Sequence, residues 1–229
     1  MRDWLPPSPT RPNTPAVLWM VGLICLPELL FQMAESRMIG LPGLRNWAIV
    51  HFGFWNALLA GAQPLYPLQR ELMFVSYAFL HGGLLHLAGN MVVTLALAGI
   101  VVARSSDRGF VVLYLASAAG GAIGYAALGP GGAPMVGASG AVFGLVGAWK
   151  YWEWLDRRAL GAPMQPLWMS LVGLALLNLV LWYLLGGLLA WQAHLGGFVA
   201  GALWAALVSP ADAGASGPPP SRMPRREHR

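Results

Sequence analysis

The chain has 229 residues, 57% of them hydrophobic and 10% charged, with a net charge of +5. Its mean hydropathy of +0.57 excludes an ordinary soluble domain, in which roughly a quarter of the residues are charged, and it excludes a disordered chain, which is apolar-poor. The single cysteine, Cys25, excludes a disulfide scaffold and a cysteine-ligated metal site, leaving an integral membrane protein with several helical spans.

The N-terminus, MRDWLPPSPTRPNTP, is polar and proline-rich and carries no signal-peptide pattern. Residues 1–15 are expected to be a short cytoplasmic segment. Six apolar stretches follow, at 16–33, 84–103, 110–128, 139–155, 167–185 and 191–208. Each approaches the ~20 residues that cross ~30 Å of hydrocarbon as a helix. Pro27 and Glu28 interrupt the first, and the fourth is short. The expected fold is therefore an all-α membrane bundle of six transmembrane helices over residues 16–209.

The connection at about 34–83 is not ordinary loop. Trp47, Val50, Phe54, Trp55 and Leu58 recur at helical spacing with Arg45, His51 and Asn56 between them. That pattern reads as an amphipathic helix of about 14 residues lying in the headgroup region; a seventh span is the rival reading. Residues 210–229 (PADAGASGPPPSRMPRREHR) read as a disordered basic tail near an anionic leaflet.

Orientation follows from the basic residues. Six spans put both termini on one side. With them lie Arg2, Arg11, Arg104, Arg108, Lys150, Arg157, Arg158 and the four tail arginines; only Arg37, Arg45 and Arg70 lie opposite. Both termini are expected to be cytoplasmic. The arginine-rich inner loops suggest a bacterial plasma (inner) membrane. The basic balance is thus explained by topology, and no nucleic-acid partner is expected. Trp149, Tyr151, Trp152 and Trp154 read as the inner aromatic belt.

Polar residues inside spans are costly and mark candidate sites. His81, His86, Asn90, Ser139 and His194 stand out. Under this topology the second, fourth and sixth spans all start at the outer face. His86, Asn90, Ser139 and His194 then lie within roughly 10 Å of those helix starts. Segments distant in sequence place polar groups in one layer. Ser139 is flanked by Gly137 and Gly140 in an uncharged glycine-rich run, suited to a tight turn into a helix N-terminus. Small residues four apart in the spans (Ala116, Gly120, Gly124; Gly140, Gly144, Ala148; Gly197, Gly201, Ala205) allow close helix approach.

A serine hydroxyl needs a base within about 3 Å to act as a nucleophile, and His194 is the candidate. No carboxylate is well placed to complete a triad, since Asp107, Glu153 and Asp156 lie at the cytoplasmic ends. Glu28 lies in the outer half, but no motif directs it at His194. A Ser–His dyad is the economical reading. His86 and Asn90 are i, i+4 on one helical face, so with the Ser139 N–H they can supply oxyanion donors. Read singly, Ser139 would be a helix cap and His194 a packing histidine; a transporter path is another reading of polar residues in spans.

Three motifs now stand in order: HGGLLHLAGN at 81–90, GASG at 137–140 and AHLGGFVAG at 193–201. They resemble HxxxxHxxxN, GxSG and AHxxGxxxG of the rhomboid intramembrane serine proteases. The resemblance implies that Ser139 is the nucleophile, His194 the base, and His86 and Asn90 oxyanion-hole residues. His81, Gly137, Gly140, Phe143, Gly197 and Gly201 would support the motifs. It implies that residues 34–83 form the membrane-embedded L1 element, and that the fifth span is a side gate for a substrate helix. Transmembrane proteins would be the substrates and membrane lipids the surroundings. Phe143 stands where the family often has Tyr, and Leu72 and Met73 where many bacterial members have Trp-Arg. An inactive member acting as a membrane-protein binding or quality-control factor is the alternative. No phosphate loop, metal-ligand cluster or nucleotide fingerprint is present, so no cofactor or metal is expected.

Overall fold

The computed structural model describes residues 14–209; the expectations for residues 1–13 and for the basic tail lie outside the described residues. The described chain is helical. Six long helices run in the order α1 (Pro15–Glu35), α5 (Leu84–Arg104), α6 (Asp107–Leu128), α7 (Ser139–Ala159), α8 (Gln165–Leu184) and α9 (Trp191–Val208). Between α1 and α5 lie α2 (Leu44–Phe52), α3 (Asn56–Leu59), α4 (Gln69–Ser76) and a 3₁₀ turn at Tyr77–Phe79. All of them but α7 among the long helices are long and apolar enough to cross a membrane. The molecule is an all-α membrane bundle.

α7 differs for a physical reason. It is 21 residues long, longer than the short fourth span expected, because it continues through a charged C-terminal end. Lys150, Glu153 and Arg157 are buried there. Lys150 Nζ donates to Glu153 Oε2 at 2.9 Å and Arg157 Nε to Glu153 Oε1 at 2.8 Å, so the charges enter the bundle as a compensated group. Arg104 also pairs with Asp156. Trp152 is not a belt residue. It is 3% exposed, and its Nε1 donates to Ser209 Oγ at 3.1 Å.

The small-residue faces explain the core. A Cβ on Gly197 would lie 1.9 Å from the carbonyl oxygen of Gly140, and one on Gly201 1.9 Å from that of Gly144. On the other side of α9, a Cβ on Gly196 would lie 2.3 Å from the carbonyl oxygen of Gly120. α9 is therefore clasped between α6 and α7, backbone against backbone, as the absence of side chains allows. α8 is the opposite case: among its residues Leu167 alone is buried.

The connection between α1 and α5 corrects the sequence reading. No 14-residue helix forms. α2 ends at Phe52, where Gly53 turns extended (φ −67, ψ 160). Phe54 is fully buried and forms an antiparallel bridge with Met135, with hydrogen bonds of 2.9 Å in both directions. At nine residues α2 spans about 14 Å, too short for the rival seventh span. α1, in contrast, runs unbroken through Pro27.

Arg45 fastens this connection to the bundle. Its Nη1 donates to Glu28 Oε2 at 2.6 Å and its Nη2 to Glu28 Oε1 at 2.9 Å. Nε donates to Glu35 Oε1 at 2.6 Å, and Nη1 also donates to the His81 carbonyl at 2.6 Å. Gln32 Nε2 donates to Glu28 Oε1 at 2.9 Å. Glu28 is 0% exposed, so its charge is buried with a bidentate partner, the arrangement a guanidinium fork favours.

Candidate active site

α7 begins at Ser139. The chain reaches it through Gly137, whose φ of +124 lies in the region that favours glycine. A Cβ there would lie 2.6 Å from His86 Cε1 and 2.7 Å from His86 Nε2. Gly137 thus meets two demands, a left-handed backbone and the close approach of an imidazole. Ser139 follows two residues later, with the first N–H groups of α7 left free of helical partners.

His81 braces the turn from beneath. It is fully buried, and its Nε2 accepts from the Ala138 N–H at 3.3 Å and from Asn90 Nδ2 at 3.1 Å. Burial, with smaller contributions from His86 and Arg45, pushes its pKa down to about 3, so the ring is neutral. Its ring meets that of His86 edge-on at 5.1 Å. Tyr77 adds a second brace: its carbonyl accepts from Gly137 N–H at 3.0 Å, and its hydroxyl donates to the Ala118 carbonyl at 2.9 Å. The start of α7 is therefore held by His81, just before α5, and by Tyr77, itself tied to α6. Asn90 is 7% exposed and has one of its two amide hydrogens committed to His81; the other is available.

His194 lies in the first turn of α9 and is 7% exposed. Its ring stacks on Phe143 at 4.1 Å with an interplanar angle of 6°. Phe143 is one turn after Ser139 on the same helix face. The chain neighbours of the two residues converge as well: a Cβ on Gly121 of α6 would lie 3.1 Å from both Gly140 Cα and the Ala193 carbonyl oxygen. Ser139, His194, His86 and Asn90 are thus gathered at one end of the bundle. No hydrogen bond joins Ser139 Oγ to His194 among the described residues. Contacts of this kind are often loose until substrate is bound.

His194 does have a partner that the motifs do not contain. Its Nδ1 lies 2.5 Å from Oδ1 of Asn178 on α8. Glu28 is engaged with Arg45 and does not face His194. Asn178 escaped the sequence reading although it is one of few polar residues in the apolar run that becomes α8. Phe143, Asn178 and His194 line a cavity of about 720 Å³ whose other walls are Leu and Trp side chains of α8 and α9 together with Ala175 and Phe198. Among the described residues no group of His, Cys, Asp and Glu forms a metal-holding cluster.

Comparison with known proteins gives the family. The chain is similar to RHOMBOID-like protein 5 of Arabidopsis thaliana, at 29% identity over 226 aligned residues that cover 86% of this chain and 71% of the relative. The family model for the Rhomboid domain matches residues 69–211, from α4 to just beyond α9. That stretch holds all three polar motifs and the glycine-locked helices between them, and the match extends over more than half of the sequence: the chain belongs to the rhomboid family.

Proposed function

We propose that the protein is an intramembrane serine endopeptidase that cleaves peptide bonds in or beside the transmembrane segments of other membrane proteins. The observation that carries this reading is the stack of His194 on Phe143, one helical turn from Ser139. It supports an imidazole held beside the serine at the start of α7. Ser139 Oγ would attack the substrate carbonyl while His194 Nε2 takes the hydroxyl proton. The resulting oxyanion would take hydrogen bonds from the Ser139 N–H, from His86 and from the free amide hydrogen of Asn90. Collapse would break the C–N bond, His194 giving the proton to the leaving amine. Water, with His194 again as base, would release the acyl-enzyme.

A helical substrate hides its carbonyls in hydrogen bonds, so segments with helix-breaking residues and a small side chain at the cleaved position are the expected substrates. α8 would be the side wall they pass, consistent with its sparse packing. Cytoplasmic termini and a plasma-membrane position rest on the arginine bias alone.

The test is cleavage of a single-span substrate by purified protein in detergent, with Ser139→Ala and His194→Ala in parallel. Cleavage by wild type alone supports the dyad. Equal cleavage by all three refutes it. No cleavage, with no labelling of Ser139 by a fluorophosphonate, favours a non-enzymatic binding or quality-control role.

A further inference from the structure

α8 is apolar along its length except for Gln165, Ser170 and Asn178. Ser170 satisfies itself on its own helix, donating to the Leu167 carbonyl at 2.7 Å. Asn178 does so with one end of its amide only. Its Nδ2 donates to the Leu174 carbonyl at 2.9 Å. A carbonyl can only accept, so this bond fixes which end of the amide is nitrogen. Oδ1 therefore faces α9, where it lies 2.5 Å from His194 Nδ1. An amide oxygen can only accept as well, so Nδ1 must carry the proton. In the neutral ring Nε2 is then left with its lone pair, the form a base requires.

The Phe143 stack cannot make this selection. Rotating the imidazole by half a turn about Cβ–Cγ leaves the ring plane, and hence the stack, unchanged. It exchanges Nδ1 with Cδ2 and Nε2 with Cε1. A hydrogen bond at the ring edge distinguishes the two states; a face-to-face contact does not. Among the described residues the bond from Asn178 is the one side-chain hydrogen bond from α8 to another helix.

We infer that Asn178 is a positioning residue for His194: it holds the imidazole in the Nδ1–H tautomer and in the one ring orientation that presents Nε2 to Ser139. In a triad a carboxylate has this place; here a neutral amide on the neighbouring helix fills it. The inference rests on the reading of Ser139 and His194 as nucleophile and base.

The test uses the full chain in detergent with ¹⁵N-labelled histidine, at alkaline pH, with the His194 signals assigned by their loss in His194→Gln. Wild type is expected to show hydrogen on Nδ1 and a bare Nε2. Asn178→Leu is expected to give a mixed or Nε2–H population. It should also lower kcat on a single-span substrate about tenfold, the effect of losing one hydrogen bond to the base, with KM unchanged. Asn178→Asp keeps an acceptor and should restore most of kcat. A wild-type proton on Nε2 overturns the inference. So does an unchanged tautomer in Asn178→Leu, or a kcat within twofold of wild type. If wild type cleaves nothing, the protease reading fails, while the tautomer comparison still decides the contact. If Asn178→Leu does not fold, the wild-type tautomer and the Asn178→Asp rate decide it.

Discussion

The crossing of α7 and α9 gives a sharp expectation for Gly201→Ala. The new Cβ would lie 1.9 Å from the Gly144 carbonyl oxygen and 2.6 Å from Gly144 Cα. Ordinary non-bonded contact begins near 3.5 Å, so the two helices must separate by roughly 1.5 Å. The atoms struck are backbone, so no rotamer change relieves the clash. Overpacking of this kind costs about 3 kcal/mol, the upper part of its usual range, against a helix-propensity gain of about 1 kcal/mol. Gly173→Ala is the matched control: it also replaces a helical glycine, in α8, and its Cβ meets nothing within 4 Å. Thermal unfolding in one detergent at one scan rate should place Gly201→Ala several degrees below wild type and Gly173→Ala level with or above it. Separation at Gly201 also shifts the Phe143–His194 stack, and a displacement of about 1 Å at a reacting group costs on the order of 100-fold in turnover. Equal melting of the two variants would refute the backbone-on-backbone contact.

Other expectations follow from single contacts. Arg45→Ala leaves Glu28 buried without its partner and should destabilise by about 3–5 kcal/mol; adding Glu28→Leu should recover much of the loss, and a double-mutant cycle that came out additive would deny the coupling. Tyr77→Phe removes the donor to the Ala118 carbonyl, with an expected cost of about 1 kcal/mol in the same unfolding assay. His81→Ala takes away the acceptor shared by Ala138 N–H and Asn90, so labelling of Ser139 by a fluorophosphonate should slow even where the protein still folds. Cleavage should fall as pH is lowered through the imidazole range, because a protonated ring has no lone pair for the serine proton. A rate that held with imidazoles fully protonated would remove His194 as the base.

The long helices were legible because the apolar runs that form them are local in sequence. The sixth run, 191–208, became α9 with the same bounds. The connection before α5 was not legible in that way. Helical spacing put Phe54 with Trp47 and Val50 on one surface-lying face. In the fold Gly53 ends the helix, and Phe54 turns inward to pair with Met135. The partner that decides its position is 81 residues away, beyond the reach of periodicity. Arg45 similarly reads as an interfacial charge, because its partner Glu28, 17 residues earlier, lies in the first span. The glycine faces were visible as patterns, but only the fold shows that Gly196, outside those patterns, meets Gly120.

Asn178 could have been found. The depth argument that grouped His86, Asn90, Ser139 and His194 applies to it equally. α8 runs in the opposite direction to α7 and α9, and Asn178 lies six residues before its end at Leu184, about 9 Å from the same face. Its signal is a single amide at that depth in an otherwise apolar run. Its location also separates two kinds of packing. The serine and the histidine stand on α7 and α9, which glycines lock together at backbone contact. The acceptor that orients the histidine stands on α8, whose side chains mostly face outward. In the proposed dyad, the two groups that would have to keep their distance to one another stand on the glycine-locked pair. On the proposed reading, the group that selects the reactive form of the base stands on the long helix with the fewest buried residues, so docking of α8 and readiness of His194 would be coupled through one hydrogen bond.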